Sequence, residues 1–276
     1  MSYFPKVAIV RIVKGYQEAL HRAFSLIGGI NDLNVDNLDV ALKVGVYDIR
    51  ALNYPNLEVM KALVTAFNQA PRIFLVESDN YVDDALKRLQ LWKDIFTTRI
   101  LPFNLSKDRE TKEVTIAGEK INLSHILFKP NVFISFHAYR ASRGLGRAPH
   151  GAILKNLLGV IPDIEKERFH NKLDVALIDI MEVVGGIDLA VLDATYSYYG
   201  KFQTGKPLDR IKTDLLIVGR DAVAVDAVGS AIVGRDPLDS PSIVEAAKRG
   251  LGQSDLKKIE VLGEPLKSVK VRLPKP

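Results

Sequence analysis

The sequence predicts an α/β fold: a mainly parallel central sheet with helices on both faces, plus a small β-hairpin insertion. Three observations point there. Short β-branched runs alternate with segments of helical spacing, glycines mark the changes of period, and several runs are apolar throughout, as strands buried on both faces are. The whole chain, 1–276, reads as one α/β domain, without repeats, low-complexity tracts or a linker long enough to separate domains.

Lys6 to Val13 alternates and reads as a strand. Tyr16 to Leu26 is helical and ends at Gly28-Gly29. Asp39 to Val46 is a second strand. Asn56 to Asn68 is a helix with Leu57, Met60, Leu63, Val64 and Phe67 on one side, and Arg72 to Val76 is a third strand. Asn80 to Phe96 starts acidic at Asp83 and Asp84 and turns basic at Lys87, Arg88 and Lys93, the order a helix dipole favours. Leu101 to Leu123 breaks the rhythm: two alternating segments flank a polar stretch, which predicts the hairpin insertion. Val132 to Phe136 resumes as a buried strand, followed by a Gly- and Arg-rich loop from Ala138 to His150. Helices are expected over Gly151 to Leu158, Lys166 to Val184, Ala222 to Val233 and Pro241 to Arg249, the last with Ser240 as N-cap and Gly250 after its end. Strands are expected over Ile187 to Leu192, ending at Asp193, and over Asp214 to Val218, Ile259 to Leu262 and Val269 to Leu273.

Of the residues, 47% are apolar and 26% charged, a globular balance. No stretch reaches the roughly 18 apolar residues a membrane span requires, and Met1 to Gly15 lacks a signal-peptide core, so a soluble, cytoplasmic protein is expected. With no cysteine there is no disulfide, no thiolate nucleophile and no self-ligated iron-sulfur cluster. Lys plus Arg number 38 against 33 Asp plus Glu, a net charge of +5 that favours anionic partners.

The positive charge has a location. From Lys120 to Pro162 no Asp or Glu occurs, while Lys120, Lys129, Arg140, Arg143, Arg147 and Lys155 do. Arg140, Arg143, Arg147 and His150 share their segment with Gly144, Gly146 and Gly151, after a buried strand and before a helix start. Ligands of open α/β sheets bind beyond the carboxyl ends of strands, helix starts favour anions, and guanidinium forks suit phosphate or carboxylate oxygens. The alternative is a solvated loop whose arginines pair with acids elsewhere. Neither Gly-x-Gly-x-x-Gly nor a P-loop is present, so no nucleotide fingerprint is expected.

Asp226 is the one charged residue between Asp221 and Arg235, in an otherwise apolar helix. Burial there demands a cation, a metal or backbone N–H partners, making Asp226 either a base or ligand or a structural anchor. Asp221 reads as an N-cap. Asp193, at a strand end, reads as a site acid or a turn residue, and Glu77 and Asp79 share that ambiguity. His137 and His150 are acid/base candidates, and no His pair has metal spacing, which leaves a divalent metal open as a cofactor. Tyr198, Tyr199 and Phe202 form either a stacking platform or an aromatic loop packed on the core.

Several strings resemble one family, domain-of-unknown-function family 362. They are Leu154-Lys155-Asn156-Leu157-Leu158-Gly159-Val160-Ile161-Pro162, Lys166 with Phe169-His170, Gly219 to Val228, and Arg249-Gly250-Leu251-Gly252 with Ile259 to Gly263. The resemblance implies an α/β fold and puts Lys155, Asn156, His170, Asp221 and Asp226 on characteristic positions. Many members carry ferredoxin-like cysteine clusters, a label the absence of cysteine here does not permit. The Lys-Pro-Asn expected after the second strand reads Lys43-Val44-Gly45, and a Lys-x-Lys-Thr-His element is replaced by the arginine loop.

The expected function is therefore binding of a small anionic metabolite, in an enzyme or a degenerate relative of one. Arg140, Arg143, Arg147, His150 and Lys155 would hold its oxygens, Asn156 would orient it, and Asp226, Asp193 or His170 would act as base or metal ligand. The alternative is a non-catalytic accessory or redox-partner protein that docks another protein. Nucleic-acid binding is disfavoured because no recognised module is visible.

Overall fold

A computed structural model describes residues 4–140 and 152–273. In chain order, β1 (Lys6–Arg11) leads to α1 (Tyr16–Leu26), β2 (Val40–Val44) to α2 (Leu57–Ala66), and β3 (Ile73–Glu77) to α3 (Ala85–Leu89) and β4 (Ile100–Asn104). β5 (Thr111–Ile116) and β6 (Glu119–Ser124) form a separate hairpin. There follow β7 (Val132–Arg140), α4 (Ile153–Asn156), α5 (Leu173–Val183), β8 (Leu189–Tyr199), β9 (Asp209–Gly219), α6 (Ala222–Ile232), α7 (Pro241–Lys248) and β10 (Glu260–Gly263).

Eight strands make one sheet in the order β10-β1-β9-β8-β7-β2-β3-β4. β9 runs antiparallel to both neighbours, and every other adjacent pair is parallel. The buried runs VALKV of β2 and IFLVE of β3 occupy its interior, as two-sided burial requires. Helices cover both faces. α1, α2 and the segment around Trp92 pack against Val40, Leu42 and Ile134, whereas α4, α5, α6 and α7 pack against Val7, Ala41 and Phe133.

From β2 the chain steps outward to β3 and β4, then returns to the other side of β2 as β7 and continues to β8. The helix after β2 lies on one face and the helices after β7 on the other. The carboxyl ends of β2 and β7 therefore flank a topological switch point, the place where open α/β sheets leave a crevice.

Several element boundaries differ from expectation. Asn80–Phe96 is not one helix: the Asn80 side chain accepts the N–H groups of Val82 and Asp83, Asp84 caps α3, and a 3₁₀ segment Gln90–Ile95 follows, irregular at Trp92. Residues 100–104 belong to the main sheet as its edge strand, so the hairpin is confined to 111–124. An edge strand and a free hairpin carry the same alternation, which is why sequence merged them. The hairpin turns on Ala117 and Gly118, both at positive φ, and its tip is fastened by the Ala117 N–H donating to Asp179 of α5 at 2.6 Å. Lys166–Lys172 is a 3₁₀ segment before α5, and Leu157–Val160 is another after α4. Ser240 precedes α7 without a side-chain capping bond, its hydroxyl meeting that of Ser242 instead. The expected strand over 269–273 does not form. β8 does not end at Asp193 but pairs with β9 out to Tyr199, because β9 extends far enough to satisfy it. Tyr198 and Phe202 pack with Ala138 and Leu208 as a small satellite cluster.

Candidate functional site at the switch point

The switch point is surrounded by buried charge. Lys43 on β2 is 1% exposed, and burial lowers its proton affinity against the opposing pull of Glu77. Its Nζ lies 3.1 Å from Glu77 at the end of β3 and donates to Asn156 Oδ1 and the Val44 carbonyl, each at 3.0 Å. Glu77 also faces the Arg88 guanidinium of α3 at 3.5 Å and accepts the N–H groups of Val46 and Ser78. Arg88 in turn donates to the carbonyls of Val46 and Ser78. Glu77 is thus the hub of two buried cations from different elements.

Asn156, expected to orient a ligand, is occupied instead. Its Oδ1 holds Lys43 and its Nδ2 donates to the Lys43 carbonyl and the Ser135 hydroxyl, tying α4 to β2 and β7. Asp226 acts on the other end of the same helix: its two carboxylate oxygens accept the N–H groups of Ile153 and Leu154 at 2.8 and 2.9 Å. This is the anchoring arrangement of the two foreseen for Asp226. Asp193, also buried, accepts the Asn56 N–H at 2.6 Å and both the N–H and hydroxyl of Thr195, fixing the segment that enters α2. Both aspartates hold backbone in place, and the segments they hold carry Lys155 and Asn53.

Burial pushes the Asp226 carboxyl up to about 7, against the opposing pull of its two N–H donors. From roughly pH 4 to 7 the folded state keeps a proton the unfolded chain has released, so stability falls as pH rises through that window. The wild-type protein is expected to lose stability relative to Asp226→Asn between pH 4 and 7, read as urea midpoints at successive pH values.

Besides Arg88 Nε, three buried donors at the switch point have no acceptor among the described residues: Lys155 Nζ, Arg140 Nε and Asn53 Nδ2. They are neighbours. Arg140 donates through NH2 to the Asn53 carbonyl at 3.1 Å, and the Arg140 charge is the one neighbouring group that depresses Lys155. Burial, then Arg140, bring Lys155 down to about 8, and burial brings Arg140 itself to about 10. Lys166 is likewise held at about 8, chiefly by burial, while donating to the Asp79 carbonyl. His170, half-buried on the segment after Lys166, has its proton affinity lowered by burial and then by Lys155. His137, on β7, is buried, meets the Ala138 carbonyl through Nδ1, and is pushed well below the ordinary imidazole range.

His137 also explains Gly45. A Cβ there would stand 2.0 Å from His137 Cδ2, so the asparagine expected from the resemblance has no room. Gly45→Ala is expected to cost about 1–3 kcal/mol through overpacking, visible as a lower denaturant midpoint.

Arg143, Arg147 and His150 lie outside the described residues. Sequence reading missed Lys43, Arg88, Lys166 and Asn53 as site residues. Lys43 carried the one usable signal, a lone charge inside an apolar strand, the same signal that singled out Asp226. Among the described residues no three His, Asp or Glu side chains gather as a metal site, and no helix is long and apolar enough to cross a membrane.

A cavity of about 370 Å³ lies at the opposite end of the sheet, beside Lys6, Arg220, Asp221 and Gln253. Two of its charges are engaged: Arg220 pairs with Asp32, and Asp221 accepts the N–H groups of Ala224 and Gln253. The unsatisfied donors are at the switch point.

The three-layer α/β sheet with a charged switch-point crevice defines the class of protein. The family model described as "Domain of unknown function (DUF362)" matches residues 40–231, and the chain belongs to that family. No curated protein matches it. Without cysteine, this member forms no iron-sulfur cluster from its own ligands.

Proposed function

We propose that the switch-point crevice binds a small anionic metabolite through phosphate or carboxylate oxygens, with Arg140 and Lys155 as the charged donors and Asn53 as the neutral one. One observation carries the reading: these three buried donors lack acceptors among the described residues, and the charged group beside Lys155 is another cation. Lys43, Arg88, Arg140, Lys155 and Lys166 feel Glu77 or one another, and Glu77 is already committed to Lys43 and Arg88. A buried cation without a partner is costly, so a fold that keeps one at a ligand-binding position is built for an incoming anion. Asp226, Asp193 and Asn156 are positioning residues in this reading, and His170 and His137 are the imidazoles that feel the charge of Lys155. Arg143, Arg147 and His150 extend the same basic segment in sequence.

Thermal stabilisation by a panel of phosphorylated and carboxylated metabolites tests it. Protection of the unmodified protein by some of them, lost in Arg140→Ala and Lys155→Ala, is the expected outcome. Failure of every compound to protect the unmodified protein would remove the reading.

A further inference from the structure

We infer that Lys155 is an amine nucleophile that forms an imine with the carbonyl carbon of a small metabolite bearing a carboxylate or phosphate; this rests on the anion-binding reading above. Three buried or nearly buried lysines surround the crevice, and they differ. Lys43 Nζ is engaged by Glu77, Asn156 and Val44, and Lys166 Nζ by the Asp79 carbonyl. Lys155 Nζ alone of these has no acceptor among the described residues, and the charged group beside it is a cation. Residues 141–151, between β7 and α4, contain no Asp or Glu to serve as its counterion.

An amine kept only to balance charge would sit on a carboxylate. A desolvated amine next to another cation is the arrangement that frees a lysine lone pair for attack on carbonyls. With its proton affinity lowered to about 8, roughly a quarter of Lys155 is neutral at pH 7.5, against about one in a thousand for an ordinary lysine. The backbone that carries the amine is fixed. Asp226 holds the first residues of α4 and Asn156 fastens its last, so the helix bearing Lys155 is pinned at both ends.

The chemistry balances without a further reagent. The neutral Nζ adds to the carbonyl carbon, forming the C–N bond as the C=O π bond opens, and one of the two nitrogen protons passes to the oxygen to give a carbinolamine; the other later leaves with the hydroxyl. The C–O bond then breaks and the hydroxyl departs as water, so amine plus carbonyl becomes imine plus water. Arg140 holds the anionic group of the same molecule. His170, whose proton affinity burial and then Lys155 lower, is assigned the proton relay.

The experiment incubates the full chain at pH 8 with pyruvate, glyoxylate or dihydroxyacetone phosphate, reduces with sodium borohydride, and maps the adduct by mass spectrometry. Thermal protection by the same compounds is measured in parallel. An adduct confined to Lys155 and absent from Lys155→Arg supports the inference. Protection without an adduct overturns it and leaves anion binding standing, whereas neither protection nor adduct overturns both. An adduct that persists in Lys155→Arg, or is spread evenly over exposed lysines, also overturns it.

Discussion

Glu77→Gln is expected to cost about 3–5 kcal/mol, the largest loss from any single substitution at the crevice. The reason is the hub geometry. Glu77 is the carboxylate beside both Lys43, at 3.1 Å, and Arg88, at 3.5 Å, and both cations are 1% exposed. An amide in its place keeps the shape and one acceptor but leaves two buried positive charges facing each other across β2, β3 and α3. Neither can swing to water, since Lys43 is enclosed by α4 and Arg88 is fixed to the carbonyls of Val46 and Ser78. Urea denaturation of Glu77→Gln beside wild type measures the loss. A companion Lys43→Met in the same background is expected to recover part of it, because one of the stranded charges is then gone.

Lys155→Met is expected to act in the opposite direction, raising stability by about 1–4 kcal/mol in the absence of ligand. Methionine retains most of the aliphatic stem and removes an ammonium that no described residue accepts. The gain depends on pH. Lys155 binds its proton more weakly folded, at about 8, than unfolded, at the ordinary value of 10.5. Below pH 8 both states are protonated and the penalty is full; from pH 8 to 10.5 the folded state sheds its proton first and the wild type recovers. The advantage of Lys155→Met should therefore be greatest at or below neutral pH and shrink as pH rises toward 10.5. A substitution that stabilises the fold while abolishing ligand protection is the mark of a residue retained for function.

The sheet was legible because its strands carry their burial in their composition. β2, β3 and β7 read as strands from largely apolar runs, and α6 as a buried helix, since each is dictated by short-range pattern. What failed were distinctions that depend on distant partners. The strand β4 and the hairpin beside it share an alternating pattern, and only pairing with β3 separates them. Asp193 looked terminal because the extension of β8 is stabilised by β9, some twenty residues away in sequence.

The site divides the same way. Lys155 was visible as a cation of the acid-free segment and Asp226 as a lone charge in an apolar helix, but their roles depend on contacts across 72 and 73 positions of chain, between Asp226 and the start of α4. Asn156 was recognisable as special, and only its bonds to Lys43 and Ser135 show that it braces the crevice. Asn53 and Arg88 had no distinguishing sequence feature, because an ordinary polar residue in a loop or helix becomes notable only when folding buries it.

Titration calorimetry of inorganic phosphate and pyruvate into the wild-type chain and Lys155→Met, at pH 7 and pH 9.5, examines the uncompensated positive charge most directly. The wild type should bind at least one of the two at pH 7 and bind it more weakly at pH 9.5, with Lys155→Met showing little heat at either pH. Equal binding by both proteins, or no binding of either anion by the wild type at pH 7, would contradict a crevice built around the ammonium of Lys155.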